Sequence, residues 1–250
     1  MSDAVPEASS RVSRRETRRS QGNGFLLFLR DLVIILVVAL FVSFLLKTFL
    51  IRSFFIPSSS MEDTLHVDDR IIVNQLVPDV MPVEYGDVVV FRDPGGWLTP
   101  TPQTGTWIQQ SWEWFLSLIG LAAPDSNDHL IKRVIGLPGD VVSCCDATGH
   151  LTINGIPIDE PYILIPEGAD AAPTQFEVTV PDGQMWVMGD NRYNSRDSLG
   201  HIDDPGSGFV PIDHIVGKAL VISWPTSRWS VLDNYPTTFE GVESARSTAP

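Results

Sequence analysis

The chain has 250 residues, enough for one good-sized core plus a membrane segment, and a formal charge of −14. Six of the 17 basic residues, Arg11, Arg14, Arg15, Arg18, Arg19 and Arg30, fall in the first 30 against Asp3, Glu7 and Glu16, so that stretch carries +3 and the remainder −17. An acidic body argues against nucleic acid, which is held mainly through Lys and Arg contacts to phosphate, and leaves the early arginines as a membrane-topology signal.

Residues 1–24 are polar and Arg/Ser-rich, the composition of a disordered tail. No charged residue occurs from Leu32 to Leu46, and apolar flanks extend the stretch to 25–51, long enough for a transmembrane helix. Lys47 can snorkel. A removable secretory signal shares the basic start and apolar centre, but Arg52-Ser53-Phe54-Phe55-Ile56-Pro57 follows without an Ala-x-Ala cut site, so a single-pass anchor is expected. Positive charge ahead of it places the tail in the cytoplasm and the body outside.

After the anchor, short β-like runs alternate with Pro, Gly, Asp and Asn punctuation: Arg70 to Val73, Asp87 to Arg92, Leu130 to Ile135, Leu151 to Ile153, Phe176 to Val180, Met185 to Met188 and Val216 to Ser223. Asn154-Gly155 is a two-residue hairpin signal. The fold class expected is therefore mainly β: one N-terminal transmembrane helix, then an extracytoplasmic antiparallel β domain over 52–225 and a C-terminal tail over 226–250. Within it, 97–128 interrupts the strand pattern and holds Trp97, Trp107, Trp112 and Trp114, four of the seven tryptophans. This insertion reads either as a stretch lying on the outer leaflet or as a short helix packed into the core. The adjacent Cys144 and Cys145 are expected not to bond each other, because side chains diverge along an extended chain. Without a nearby Cys/His pair they build no metal site either.

Two residue types carry chemistry. Ser60, in Pro57-Ser58-Ser59-Ser60-Met61, comes 11 residues after Phe49, so extended chain keeps it within ~40 Å of the membrane exit. A serine hydroxyl needs a base, and a lysine serves only when its pKa falls well below ~10.4. Lys132 stands in Leu130-Ile131-Lys132-Arg133-Val134-Ile135, where alternation gives it an apolar face. Desolvation and the neighbouring Arg133 are both expected to favour its neutral form.

With Gly86-Asp87-Val88-Val89, Lys132-Arg133-Val134-Ile135-Gly136-Leu137-Pro138-Gly139-Asp140 and Gly189-Asp190-Asn191-Arg192 in the same order, the chain resembles the type I signal peptidases (leader peptidases), membrane-bound serine/lysine proteases. The resemblance covers about residues 30–225. It implies a serine endopeptidase, with no metal and no cofactor, that removes signal peptides from secreted precursors at the outer face of the bacterial cytoplasmic membrane, after small residues in Ala-x-Ala. Its partners are those precursors and the lipid bilayer. It makes Ser60 the nucleophile, Lys132 the general base, and Ser58 with the Ser60 N–H the oxyanion hole. It makes Ser195 the hydroxyl that orients the lysine. Phe54, Ile56, Leu65 and Ile131 would line the substrate pockets, and Arg133, Asp190 and Asp197 would form structural ion pairs. The chain departs from the family pattern at Asp63, where proline is usual, at Leu199, where the arginine expected to pair with Asp197 is missing, and at Tyr193, where aspartate is more common. Arg192 or Arg196 is then the candidate partner for Asp197.

Other classes fit less well. None of the five histidines stands in a Gly-x-Ser-x-Gly setting, a self-cleaving repressor would carry a DNA-binding head, and a non-catalytic β-module leaves the ordered blocks unexplained. Ala169-Asp170-Ala171 matches the substrate signature, so a cut after Ala171 is either conceivable or a chance match.

Overall fold

The computed structural model describes residues 17–98 and 129–248. The chain forms two compact units, Met1–Thr48 and Phe49–Pro250. The first is dominated by α1 (Thr17–Phe49). Its Gly24–Phe44 stretch, 21 residues of mean hydropathy 2.8 with none of it buried, is the one helix among the described residues long and apolar enough to cross a membrane. At 1.5 Å per residue it rises about 30 Å, the thickness of a bilayer's hydrocarbon core. Arg30 and Asp31 pair with each other at 2.9 Å at its N-terminal side. The helix begins at Thr17, inside the stretch expected to be a tail: no proline intervenes between Pro6 and Pro57, and extending a formed helix is easier than nucleating one.

The second unit is mainly antiparallel β. In chain order its elements are β1 (Ile51–Phe55), β2 (Arg70–Asn74), β3 (Val88–Arg92), β4 (His129–Gly136), β5 (Val141–Cys144) and β6 (Leu151–Ile153). There follow β7 (Ile156–Pro157), β8 (Phe176–Thr179), β9 (Gln184–Met188), β10 (Val210–Pro211), β11 (Ile215–Trp224), β12 (Ser230–Val231) and α2 (Pro236–Thr248). An eight-stranded sheet runs β1-β2-β11-β3-β4-β9-β10 with β12 added to β11, and a four-stranded sheet runs β7-β6-β5-β8. The large sheet curls until its first strand approaches its middle: the Phe54 ring of β1 lies 5.2 Å from the His129 ring of β4. Val88-Val89-Val90-Phe91 is buried on both faces, as a β-branched run in a central strand should be. The Asn154-Gly155 hairpin forms as expected, joining β6 to β7 with φ of 54° and 78°, the left-handed pair that a two-residue turn demands.

Two expectations are corrected. Residues 226–250 are not a tail through their described part: Thr226–Arg228 is a 3-10 turn, β12 pairs with β11, and α2 buries Phe239 and Val242 completely in the core of the small sheet. Phe239 stacks on Tyr85 at 5.5 Å, a long-range contact that local composition cannot announce. Cys144 and Cys145 do join as a disulfide, across a cis peptide bond that leaves their Cα atoms 3.0 Å apart instead of diverging. Of the tryptophan-rich insertion only Trp97 and Leu98 are described. Trp97 is buried against Phe91 and stacks on His201 at 4.3 Å. Trp107, Trp112 and Trp114 lie outside the described residues.

Candidate active site

Ser60 sits in the turn that leaves β1. Met61 and Leu65 behind it are fully buried, and the Leu65 N–H closes the turn on the Met61 carbonyl at 2.8 Å, so apolar anchors fix the short segment that carries the hydroxyl. Lys132 projects from the middle of β4, opposite Val89 of β3, and is 3% exposed. The two meet: Lys132 Nζ donates to Ser60 Oγ at 2.6 Å across 72 residues of sequence. Burial lowers the amine from 10.5 to about 8, while the carboxylates of Asp197 and Asp190 pull in the opposite direction.

Arg133, expected to help depress that amine, is occupied elsewhere. Its Nε and Nη2 donate to Asp190 Oδ1 and Oδ2 at 2.9 and 2.7 Å, and its Nη1 donates to the carbonyls of Gly86 and Asp233. Asp190 also accepts the Thr64 hydroxyl at 2.5 Å, so one carboxylate links the serine turn to the lysine strand.

Asp197 forms no ion pair with a guanidinium among the described residues. It accepts the N–H groups of Gly189 and Leu199 at 2.8 and 3.1 Å instead. Arg192, one candidate partner, is turned away into a buried pair with Glu160, and Arg196 is exposed. Ser58 Oγ lies 3.4 Å from Ser60 Oγ. Ser195 Oγ is buried without a hydrogen bond, so the expected contact to the lysine is not made in this form. It packs against Gly189, where a Cβ would sit 2.3 Å from Ser195 Oγ and 2.4 Å from the Ser60 carbonyl oxygen. Only glycine fits between them.

Phe54, Ile56 and Ile131 line an apolar groove with Leu130 between β1 and β4. Leu65 is not on that surface; it is fully buried in the cluster beneath the groove. Among the described residues both flanking strands keep a free edge. β1 ends the sheet order, and β4 pairs with β9 only from Arg133 onward.

Among proteins of known family, the model for "Signal peptidase, peptidase S26" matches residues 29–224. The chain belongs to that family. It is 39% identical over 92% of its length to signal peptidase I of Mycobacterium tuberculosis, covering 83% of that protein. The probable signal peptidase I of Mycobacterium leprae is 37% identical over 92% of the chain and 85% of the relative. Probable signal peptidase I-1 of Synechocystis is 35% identical over 83% and 89%. The protein is thus a serine endopeptidase of the signal peptidase I type, with an apolar N-terminal helix suited to anchoring it in a membrane.

Residues beyond those expected at the site also hold the serine segment in place. Asn191 donates its N–H to the Ser60 carbonyl at 3.1 Å and its Nδ2 to the Ser59 carbonyl at 3.2 Å, and Asn194 Nδ2 donates to Ser59 Oγ at 2.9 Å. The loop after β9 therefore clasps the serine segment. Behind it, buried Arg192 donates to the Gly189 and Ala171 carbonyls and to Glu160, which also accepts the Tyr162 hydroxyl, and the Tyr162 ring lies 4.0 Å from the Arg133 guanidinium carbon. Asn191 and Arg192 were visible inside a recognised block. Glu160 and Tyr162 stood alone and gave no signal. The folded peptidase does not offer its own Ala169-Asp170-Ala171 for cleavage: Ala171 and Ala172 are 4% and 3% exposed, and the Ala171 carbonyl is bonded to Arg192 at 2.8 Å.

Proposed function

We propose that this peptidase removes signal peptides with a Ser60/Lys132 dyad, cleaving after small residues in Ala-x-Ala at the outer face of the bacterial cytoplasmic membrane. The observation that carries the reading is the 2.6 Å contact between Lys132 Nζ and Ser60 Oγ in a niche where burial holds the amine near 8. At that value an appreciable fraction of the lysine is neutral at physiological pH, and the geometry is already within proton-transfer reach.

A precursor held in the bilayer by its own apolar segment would lay its extended cleavage region along the free edges of β1 and β4, where main-chain hydrogen bonds set the register. The groove of Phe54, Ile56 and Ile131 would take the small side chains. Neutral Lys132 accepts the Ser60 proton as the oxygen attacks the scissile carbonyl. Ser58 and the Ser60 N–H stabilise the developing oxyanion, each such donor being worth about 3 kcal/mol. The lysine then protonates the leaving amine, and a water activated by the same amine hydrolyses the acyl-enzyme. Ser195, a buried hydroxyl with its hydrogen bond unspent, would orient the amine once substrate closes the site. Positive charge in the first 30 residues supports a cytoplasmic N-terminus.

The test is cleavage of a secretory precursor by Ser60→Ala and Lys132→Ala proteins, each expected to lose about 10⁴-fold or more in kcat. In the unaltered enzyme kcat/KM should rise with pH along a single-proton limb centred near about 8. A rate flat from about pH 5 to 9 sinks the dyad.

A further inference from the structure

Ser60 rides on the loop that joins β1 to β2. Main-chain hydrogen bonds close its neck, from the Ile56 N–H to the Asp69 carbonyl at 2.9 Å and from the Asp68 N–H to the Ile56 carbonyl at 3.0 Å. The outgoing limb is held by the loop after β9, through the contacts of Asn191 and Asn194 with Ser59 and Ser60. The returning limb is held from a different place. Arg228, in the 3-10 turn Thr226–Arg228 that follows β11, donates its Nε to Asp69 Oδ1 and Oδ2 at 3.1 and 3.2 Å. Its Nη2 donates to the Thr64 carbonyl at 3.3 Å, and its Nη1 lies 3.4 Å from His66 Nε2. Asp69 Oδ2 in turn accepts the His66 N–H at 2.8 Å, so one guanidinium and its carboxylate organise the whole limb.

Thr64 is where this grip reaches the chemistry. Its carbonyl accepts from Arg228, while its hydroxyl donates to Asp190 Oδ2 at 2.5 Å, and Asp190 binds Arg133 next to Lys132 on β4. Ser60 and Thr64 are one turn apart, and the Leu65 N–H bonded to the Met61 carbonyl keeps that turn tight. A shift of the limb at Thr64 is therefore passed to the hydroxyl that stands 2.6 Å from the amine. The Asp69 side chain is 1% exposed and that of Arg228 29%. Desolvation offsets much of the Coulomb gain of such a pair, so net stability is a weak reason for it. Fixed geometry is a better one, because a guanidinium presents several donors in one rigid plane. Arg228 also stands beyond residues 29–224 that match the family model, in a turn placed by the pairing of β12 with β11.

We propose that Arg228 is a positioning residue of the peptidase, holding the returning limb of the Ser60 loop at Thr64 and Asp69 so that the hydroxyl stays in reach of Lys132. The inference rests on the Ser60/Lys132 reading of the reaction. A misplacement of ~1 Å at reacting atoms costs about 100-fold in rate. Arg228 acts from one turn away, with the outgoing limb still held, so a smaller loss is expected.

The experiment measures precursor cleavage by the full-length protein in neutral detergent, with thermal melting read alongside. Arg228→Gln is expected to lower kcat about ten-fold, with KM unchanged and the acid limb of the pH profile in place. Asp69→Ala removes the carboxylate that Arg228 grips and should act likewise. Because both break one contact, the double variant should fall little further than either alone. Backbone amides of residues 61–69 should exchange hydrogen faster in Arg228→Gln. Ile153→Val, in the separate core of the small sheet, is the stability control and should keep the wild-type kcat. Wild-type kcat in Arg228→Gln overturns the proposal, as does a loss that Ile153→Val reproduces at an equal fall in melting temperature. A rise in KM alone would make Arg228 a substrate contact, and a displaced acid limb would mean that its charge acts on the lysine; either overturns the grip. So does a double variant in which the two losses multiply. Ser60→Ala keeps the two readings apart. If that variant still cleaves, the dyad fails; if it is dead while Arg228→Gln runs at the wild-type rate, only the positioning role fails.

Discussion

Lys132 and Arg133 are neighbours on one strand and equally sealed from water, at 3% and 0% exposure, yet their surroundings treat charge in opposite ways. Arg133 meets a bidentate carboxylate, two main-chain carbonyls and the face of Tyr162, so its charge is matched on every side. Lys132 meets a neutral serine hydroxyl, with carboxylates acting only from beyond hydrogen-bonding distance. Burial alone therefore does not lower the pKa of a basic group. What lowers it is burial in which the partners supplied cannot compensate the proton's charge.

Breaking the compensated side should cost most. Asp190→Ala would strand Arg133 as an uncompensated buried cation and detach the Thr64 contact, and should lower urea-unfolding stability by ~3–5 kcal/mol. Retention of full stability would mean that Arg133 finds other counter-charge.

On the lysine side the effect should have the reverse sign. The folded pKa of about 8 lies below the ordinary 10.5, so the unfolded chain binds more protons between those values. The penalty is fully present below about pH 8 and fades as pH rises toward 10.5. Lys132→Met should thus raise stability at pH 7 by up to ~3 kcal/mol, with the advantage over wild type narrowing in alkali. A variant no more stable at pH 7 than wild type would show that the lysine pays nothing for its burial.

Smaller changes sharpen the contrast. Asn191→Ala deletes one hydrogen bond to the Ser59 carbonyl, worth ~1 kcal/mol, and should lower kcat about five-fold with KM unchanged. A change in KM alone would place Asn191 in substrate binding instead. Asp197→Asn removes a charge that raises the Lys132 pKa, so the acid limb of the pH profile should move to lower pH. Displacement to higher pH would contradict the sign of that interaction.

Much of the β framework could be read locally. The runs at Leu130 to Ile135 and Met185 to Met188 became β4 and β9 because alternation and β-branched content act within a few residues. The short β10 and β12 were missed, since two residues carry too little pattern and form only against a neighbour already in place. Likewise α2 looked like a polar end, because Phe239 and Val242 are its two large apolar residues in 13 and acquire meaning only against Tyr85 and the small sheet. Leu65 was placed on the groove by motif position, whereas packing put it underneath.

By itself the sequence determined a charged-then-apolar start, a β-rich body and an ordered set of blocks containing Ser60 and Lys132, because those signals are composition, period and local spacing. Only the tertiary structure decided that the serine and the amine stand 2.6 Å apart, that Asp190 and not Asp197 binds Arg133, and that Arg192 turns to Glu160. These are contacts between residues distant in sequence, and the protonation of a buried group depends on everything that surrounds it in space.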